Sequence, residues 1–292
     1  MNTYTKYPLL FLLVVAGSMQ AMERKLSRAQ QKYMPQAKTS QNFYEQKPMV
    51  EKFDDITIQW AAGHGHYDTV QEWLIDSPSI INNTDKRGET ALHWAASNNQ
   101  KKVVELLLQQ PKVQINARNN KGQTPLAWAS YKGHTDIVQL LLDAGANPEL
   151  GGVEGKTPFQ WASGAGKLEI MKLLFGTKKC LINQKDTFGQ TALHWAVWGL
   201  HTKAVEQLLA WNADCNTTDN NETTPLMRVT QKASVLTQKD VVAIIQLLLK
   251  HGANPSLKNK FNESAADHVV NFTKFISENN RTELLDLLSL NK

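Results

Sequence analysis

The chain has 292 residues, of which 41% are apolar and 20% are charged, and its formal net charge is +5. This composition is ordinary for a folded protein, and it excludes a chain built of low-complexity sequence. The charge is uneven: residues 19–52 carry seven Lys and Arg against three Asp and Glu, whereas both signs number 24 from residue 53 onward. Because nucleic-acid binding needs a basic folded surface, the balanced part argues against a nucleic-acid partner.

Residues 1–18 have the pattern of a secretory signal peptide. Lys6 precedes the apolar run 8–16, and small residues follow at 16–18 and at Ala21. The run is shorter than the roughly 20 apolar residues that span a bilayer. We therefore expect cleavage after Ser18 or Ala21, no integral membrane segment in the mature protein, and a periplasmic or secreted location.

Residues 19–50 are rich in Gln, Lys, Ser and Met and have no sustained helical period. Low hydrophobicity combined with net positive charge predicts a disordered basic linker. A second interpretation is an arm that contacts an anionic lipid, peptidoglycan or a partner.

From residue 51 to 292 the chain repeats itself. The clearest copies are Thr90-Ala-Leu-His-Trp-Ala95, Thr124-Pro-Leu-Ala-Trp-Ala129, Thr157-Pro-Phe-Gln-Trp-Ala162 and Thr191-Ala-Leu-His-Trp-Ala196. Weaker copies start at Ile56, Thr224 and Ser264, and the first six starts lie 33 or 34 residues apart. A fixed period of this length indicates stacked units that share a continuous core.

Each unit predicts a polar loop followed by two helices. The loop ends in a Gly, such as Gly88, that suits a turn with positive φ. The Thr of the motif is a good helix N-cap, and Gly133 or Asn99 suits a left-handed helix end. A second helix with an apolar stripe follows, for example over 103–108.

The period and the T-P-L-H-x-A signature resemble the ankyrin repeat. The resemblance implies an all-α solenoid of about seven stacked helix-turn-helix units, with short β-hairpin-like finger loops and terminal units that act as caps. It also implies protein binding through a concave face made of finger loops and first helices. The residues at the corresponding positions, which are the predicted protein-binding residues, are Lys86, Arg87, Glu89, Lys121, Tyr131, Lys132, Glu154, Phe188 and Trp198. We expect Arg87, Tyr131, Phe188 and Trp198 to be the main anchors, because aromatic and Arg side chains dominate interface energetics.

No motif predicts a catalytic, cofactor-binding or metal site. His93 and His194 occupy the position of the histidine that ties loop to helix in the family, and Gln59 and Gln160 stand at the matching places. Cys180 and Cys215 are expected to be free thiols. The sequence therefore predicts a monomeric, non-catalytic scaffold for a protein partner. Two alternatives stay open: a secreted effector that binds a host protein, and an inhibitory or regulatory subunit of an exported enzyme.

Overall fold

The computed structural model describes residues 57–152, 154–231, 238–271 and 278–289. The predicted signal peptide and linker therefore lie outside the described residues. The repeat spacing also predicts extra residues in units six and seven, near 231–238 and 271–280, and most of these lie outside the described residues as well. The described residues hold fourteen α-helices and one 3₁₀-helix, with no β-strand among them. The predicted all-α stack of helix-turn-helix units is confirmed.

The helices form seven consecutive pairs, which we number one to seven along the chain. The first helices of the pairs are α1 (Ile58–Gly63), α3 (Ala91–Ser97), α5 (Pro125–Lys132), α7 (Pro158–Gly164), α9 (Ala192–Trp198), α11 (Pro225–Thr230) and α13 (Ala265–Asn271). The second helices are α2 (Tyr67–Asp76), α4 (Lys101–Leu108), α6 (Thr135–Asp143), α8 (Leu168–Gly176), α10 (Thr202–Ala210), α12 (Gln238–Lys250) and α14 (Glu278–Ser289). The 3₁₀-helix, Pro78–Asn82, follows α2.

The pairs stack in two layers. Each first helix packs against the first helix of the next pair, and each second helix packs against the next second helix. The apolar stripes of both layers meet in one core that runs from Ile58 to Leu288. Because a single short helix pair cannot bury its own stripe, this shared core is what stabilises every unit.

The predicted helix caps are confirmed in the central pairs. The side-chain oxygen of Thr124 accepts a hydrogen bond from the backbone N–H of Ala127, and Thr157 caps α7 in the same way. Asn99 and Gly133, at corresponding places after α3 and α5, both have positive φ. In pair one the cap is Thr57, one residue after the predicted position, since residue 56 is Ile and has no oxygen to accept the bond.

A finger loop precedes the first helix of pairs two to seven, and we number each finger with its pair. The fingers are residues 85–89, 119–123, 152–156, 186–190, 219–223 and 259–263. In each of them the first residue's N–H donates to the carbonyl of the last, over 3.0 to 3.3 Å. Gly88, Gly122, Gly155 and Gly189 take the positive φ of the turn, and Glu222 and Asn262 adopt it at about 60° in fingers six and seven.

Candidate functional site

Five of the six fingers are held in shape by one carboxylate or amide at their base; finger four has Gly152 at this position. In finger two, Oδ1 of Asp85 accepts hydrogen bonds from the backbone N–H groups of Arg87 and Glu89, both at 2.8 Å. Equivalent bonds are made by Asn119, Asp186, Asp219 and Asn259. Because the base residue satisfies the loop backbone, the tip side chains are free to face solvent.

Backbone hydrogen bonds also join neighbouring fingers. The N–H of Asn120 donates to the carbonyl of Arg87 at 2.9 Å, and Asn220 donates to Phe188 at the same distance. Fingers four and five are joined from Thr187 to Glu154, and fingers six and seven from Lys260 to Asn221. The tips therefore form rows along the same edge of the stack, and we call this edge, together with the exposed side of the first helices, the finger face.

Buried His and Gln side chains tie the first helices of pairs one, two, four and five to the following loop. Nδ1 of His194 accepts from the N–H of Thr191 at 3.2 Å, and Nε2 of His194 lies 3.1 Å from the carbonyl of Thr223 in the next finger. His93 makes the same contacts, and Gln160 bonds the carbonyls of residues 184 and 190. Burial lowers the pKa of His194 to about 4, so its imidazole is neutral and Nε2 donates to the carbonyl. The predicted role of the His and Gln residues is confirmed.

The Trp of the motif is bound to the finger base in pairs two and five. The indole N–H of Trp94 donates to Oδ2 of Asp85 at 3.1 Å, and that of Trp195 donates to Oδ2 of Asp186 at 2.8 Å. In pair six Arg228 replaces the Trp and binds Asp219 at 2.6 Å. The Trp side chains are thus structural as well as partly accessible.

Eight of the nine predicted binding residues are exposed on the finger face. Lys86, Arg87, Lys121, Glu154 and Phe188 lie on finger tips, whereas Tyr131, Lys132 and Trp198 lie at the ends of α5 and α9. Their aromatic members are all well exposed: Tyr131 is 44%, Phe188 50% and Trp198 46% accessible. These residues are thus available to a partner.

The prediction for Glu89 was wrong. Its side chain is buried, with 9% exposure, and Oε1 lies 3.4 Å from the amide nitrogen of Asn119. Burial, followed by the charge of Asp85, raises the pKa of its carboxyl group. Glu89 is the last residue of finger two and turns toward finger three, so it packs between the loops and does not meet solvent.

Two features of the face were missed. Phe261 at the tip of finger seven is 72% exposed and stands two residues after Asn259, as Phe188 stands two residues after Asp186. That spacing is a signal that sequence comparison could have used. The second feature is a pocket of about 160 Å³ lined by Gln123, Ala127, Trp128, Tyr131 and Trp161.

The described residues offer no group of three or more His, Cys, Asp or Glu side chains that could hold a metal ion. None of the helices in the described ranges has the length and apolarity needed to cross a membrane. Cys180 and Cys215 are free thiols, and burial raises the pKa of both, that of Cys180 to about 12.

Several known proteins are similar to this chain. An ankyrin repeat protein of Acanthamoeba polyphaga mimivirus is 50% identical over 46 residues, which are 16% of this chain and only 6% of that protein. The crystal structure of the human ASB11 ankyrin repeat domain matches with a TM-score of 0.65 and 23% identity, over 80% of this chain and 97% of that domain. An ankyrin repeat domain from Acinetobacter baumannii matches with a TM-score of 0.59 and 26% identity, over 68% of this chain and 96% of that domain.

A protein-family sequence model also matches this chain. The family described as ankyrin repeats in three copies is found at residues 58–151 and 147–219, which together make up more than half of the chain. These residues form helix pairs one to five and fingers two to five. The chain belongs to the ankyrin repeat family.

Proposed function

We propose that this chain is a non-catalytic scaffold that binds a protein partner through its finger face. Ankyrin repeats are generally protein–protein interaction modules, and the family and fold are typically non-catalytic. The observation that carries the proposal is the set of large aromatic side chains left exposed on this face, Tyr131, Phe188, Trp198 and Phe261.

These rings would gain free energy if a partner covered them. Each ring would remove a large apolar area from water on binding, and aromatic side chains are the residues most often found at the energetic centre of interfaces. Phe188 sits on a tip whose backbone is fixed by Asp186 and by Asn220, so it needs little ordering when it binds. The face is thus a rigid surface with preformed anchors.

Affinity capture with the full chain tests the proposal. A Phe188→Ala/Trp198→Ala variant should recover the wild-type chain's partner at least tenfold less well, because anchor residues contribute about 2 kcal/mol or more each. The matched control is Ile75→Ala/Leu181→Ala, which removes two apolar side chains that are more exposed than Phe188 and Trp198, on α2 and on the loop after α8. Equal recovery by both double variants would contradict binding through this face.

We further propose that the protein is exported and acts as a monomer. Lys6, the apolar run 8–16 and the small residues after it support export. Mass spectrometry of the N-terminus should find mature chains that begin at residue 19 or 22 in the periplasmic or culture fraction; intact Met1 in the cytoplasm would contradict this. Light scattering of the purified chain should give the mass of one copy.

The location of the captured partner separates the remaining alternatives. A host protein would identify the chain as a secreted effector, and an exported enzyme whose rate changes on binding would identify it as a regulatory subunit. A structural or signalling protein of the envelope would leave the scaffold function as stated.

A further inference from the structure

The pocket of about 160 Å³ lies where pairs three and four meet on the finger face. Gln123 belongs to finger three, Ala127, Trp128 and Tyr131 to α5, and Trp161 to α7. The Tyr131 and Trp161 rings meet edge to face, with centroids 5.2 Å apart. Because Tyr131 is well exposed, the pocket borders the surface that the proposed function uses.

Departures from the repeat pattern create this pocket. Ala127 stands where pairs two and five have His93 and His194, whose imidazoles fill the space between a first helix and the next finger. A methyl group cannot reach that far, so the space beside α5 stays open. The space that an imidazole ring fills in pairs two and five is therefore empty in pair three.

The same unit also has an indole donor without a partner. Asn119 replaces the Asp of fingers two and five, and its Nδ2 donates to Oε1 of Gln123 at 3.2 Å. An amide N–H₂ cannot accept the Trp128 indole N–H, which has no hydrogen-bond partner among the described residues. Trp128 is thus less firmly fixed than Trp94 or Trp195 and can adjust to a ligand.

The size and walls of the pocket suit an aromatic ring. A cavity of about 150 Å³ lined by apolar side chains is large enough to hold benzene. Two indoles and a phenol offer both face and edge contacts to an inserted ring, which favour aromatic pairs by about 0.5–1.5 kcal/mol beyond burial. A phenylalanine side chain from a partner has this size.

The surrounding charge selects for an acidic partner. The exposed charged residues of fingers two and three are Lys86, Arg87 and Lys121, and Lys132 follows Tyr131 directly. The ammonium of Lys156 already lies 4.1 Å from the ring centroid of Trp161, which disfavours a second cation in the pocket. The nearby acid Glu154 is paired with Lys156 at 3.4 Å.

We propose that this pocket receives a phenylalanine side chain from an acidic segment of the protein partner, with Lys121 and Lys132 contacting the acidic residues beside it. This inference rests on the proposed function and names the chemistry of the partner. The aromatic side chain supplies the buried area, and the carboxylates supply the orientation and the rate of encounter.

The test uses the full chain and three labelled nonapeptides in fluorescence anisotropy at low and at physiological salt. The first has a central Phe between Glu and Asp residues, the second has Ala in place of the Phe, and the third has Lys in place of every acid. We expect saturable, salt-sensitive binding of the first, at least tenfold weaker binding of the second, and none of the third.

Three variants locate the site. Ala127→His restores the side chain of pairs two and five, fills the pocket, and should weaken binding of the first peptide at least tenfold. Lys121→Glu/Lys132→Glu should weaken it similarly, whereas Lys102→Glu, an exposed charge reversal on α4, should not. Tyr131→Ala removes one wall and serves as a second pocket variant if Ala127→His does not fold.

The inference is overturned if the first peptide fails to bind, if the Ala peptide binds equally well, or if the pocket variants bind like wild type. In each of these cases the proposed function stands if the Phe188→Ala/Trp198→Ala variant still loses the captured partner. If the first peptide binds as expected but the Phe188→Ala/Trp198→Ala variant still captures the partner, partner binding through the wider finger face is contradicted. The pocket inference then stands by itself.

Discussion

Pairs two and five of the stack differ from pair three in how side chains hold the same backbone. Asp85 and Asp186 each bind two loop N–H groups and one indole, whereas Asn119 binds the two loop N–H groups but no indole. Pair three also lacks the histidine that reaches the next finger, since residue 127 is Ala. The helices nevertheless begin at equivalent positions and end within one residue of one another, so the shared apolar core determines the fold and the polar contacts adjust local rigidity.

The largest expected effect comes from making pair five resemble pair three. Asp186→Asn keeps the oxygen that binds the loop N–H groups of residues 188 and 190 but removes the acceptor of the Trp195 indole. A buried donor left without a partner costs about 1–3 kcal/mol. Chemical denaturation should show this loss of unfolding free energy. Asp143→Asn, at an exposed site, should change it by less than about 0.5 kcal/mol; equal effects would contradict the importance of the indole bond.

The hydrogen bonds of the buried His93 and His194 should make the free energy of unfolding depend on pH. The pKa of His194 is about 4 in the folded protein and near 6.5 in the unfolded chain, so the unfolded state binds more protons below pH 6.5. Its stabilising contribution is thus complete above pH 6.5 and decreases as the pH falls toward 4, by about 1–2 kcal/mol at pH 5. Burial lowers the pKa of His93 in the same direction.

His194→Gln isolates this contribution. Gln160 already makes the equivalent contacts in pair four, so the variant should keep its stability at pH 8 and lose less than wild type at pH 5. Glu89 has the opposite effect, because its raised pKa stabilises the folded state at low pH. Its contribution is the same in the His194→Gln variant and in the wild type, so it cancels in the comparison. Identical pH profiles for variant and wild type would contradict a titrating His194.

The reverse substitution in pair three should give a smaller change. Asn119→Asp supplies a carboxylate oxygen for the Trp128 indole but places a second acid beside Glu89. In a Glu89→Gln background that repulsion is removed, and we expect a gain of about 1 kcal/mol in unfolding free energy. Differential scanning calorimetry of Glu89→Gln with and without Asn119→Asp measures the difference. A decrease would show that Trp128 does not face residue 119.

Most of the fold could be predicted from sequence because each unit encodes its own caps and turns. These signals are the motif Thr, the turn glycines and the left-handed positions at Asn99 and Gly133. They act on the local backbone, so the neighbouring sequence is enough to predict their effect. The tip residues Arg87 and Phe188 were placed correctly for the same reason.

The rest depends on contacts between units. Glu89 is buried by finger three, and the ammonium of Lys156 lies between the rings of Trp161 and Trp195, at 4.1 and 3.6 Å. The pocket is likewise lined by residues of two units, Gln123, Ala127, Trp128 and Tyr131 of unit three and Trp161 of unit four. The contact of Glu89 with Asn119 joins residues 30 positions apart, and that of Lys156 with Trp195 joins residues 39 apart, so local patterns do not reveal which way these side chains turn.

The smallest expected effect concerns the helix ends of pairs two and three, where Asn99 and Gly133 both have positive φ. Gly133→Ala should lower the unfolding free energy by about 1 kcal/mol, because a Cβ is disfavoured in this conformation. Gly133→Asn should cost only a few tenths, since Asn tolerates the left-handed region and already occupies it at residue 99. An added Cβ would lie 2.9 Å from Cε of Lys167, and that flexible side chain can move aside. Equal losses for Ala and Asn in thermal denaturation would therefore indicate that crowding by Lys167, and not backbone conformation, requires the glycine.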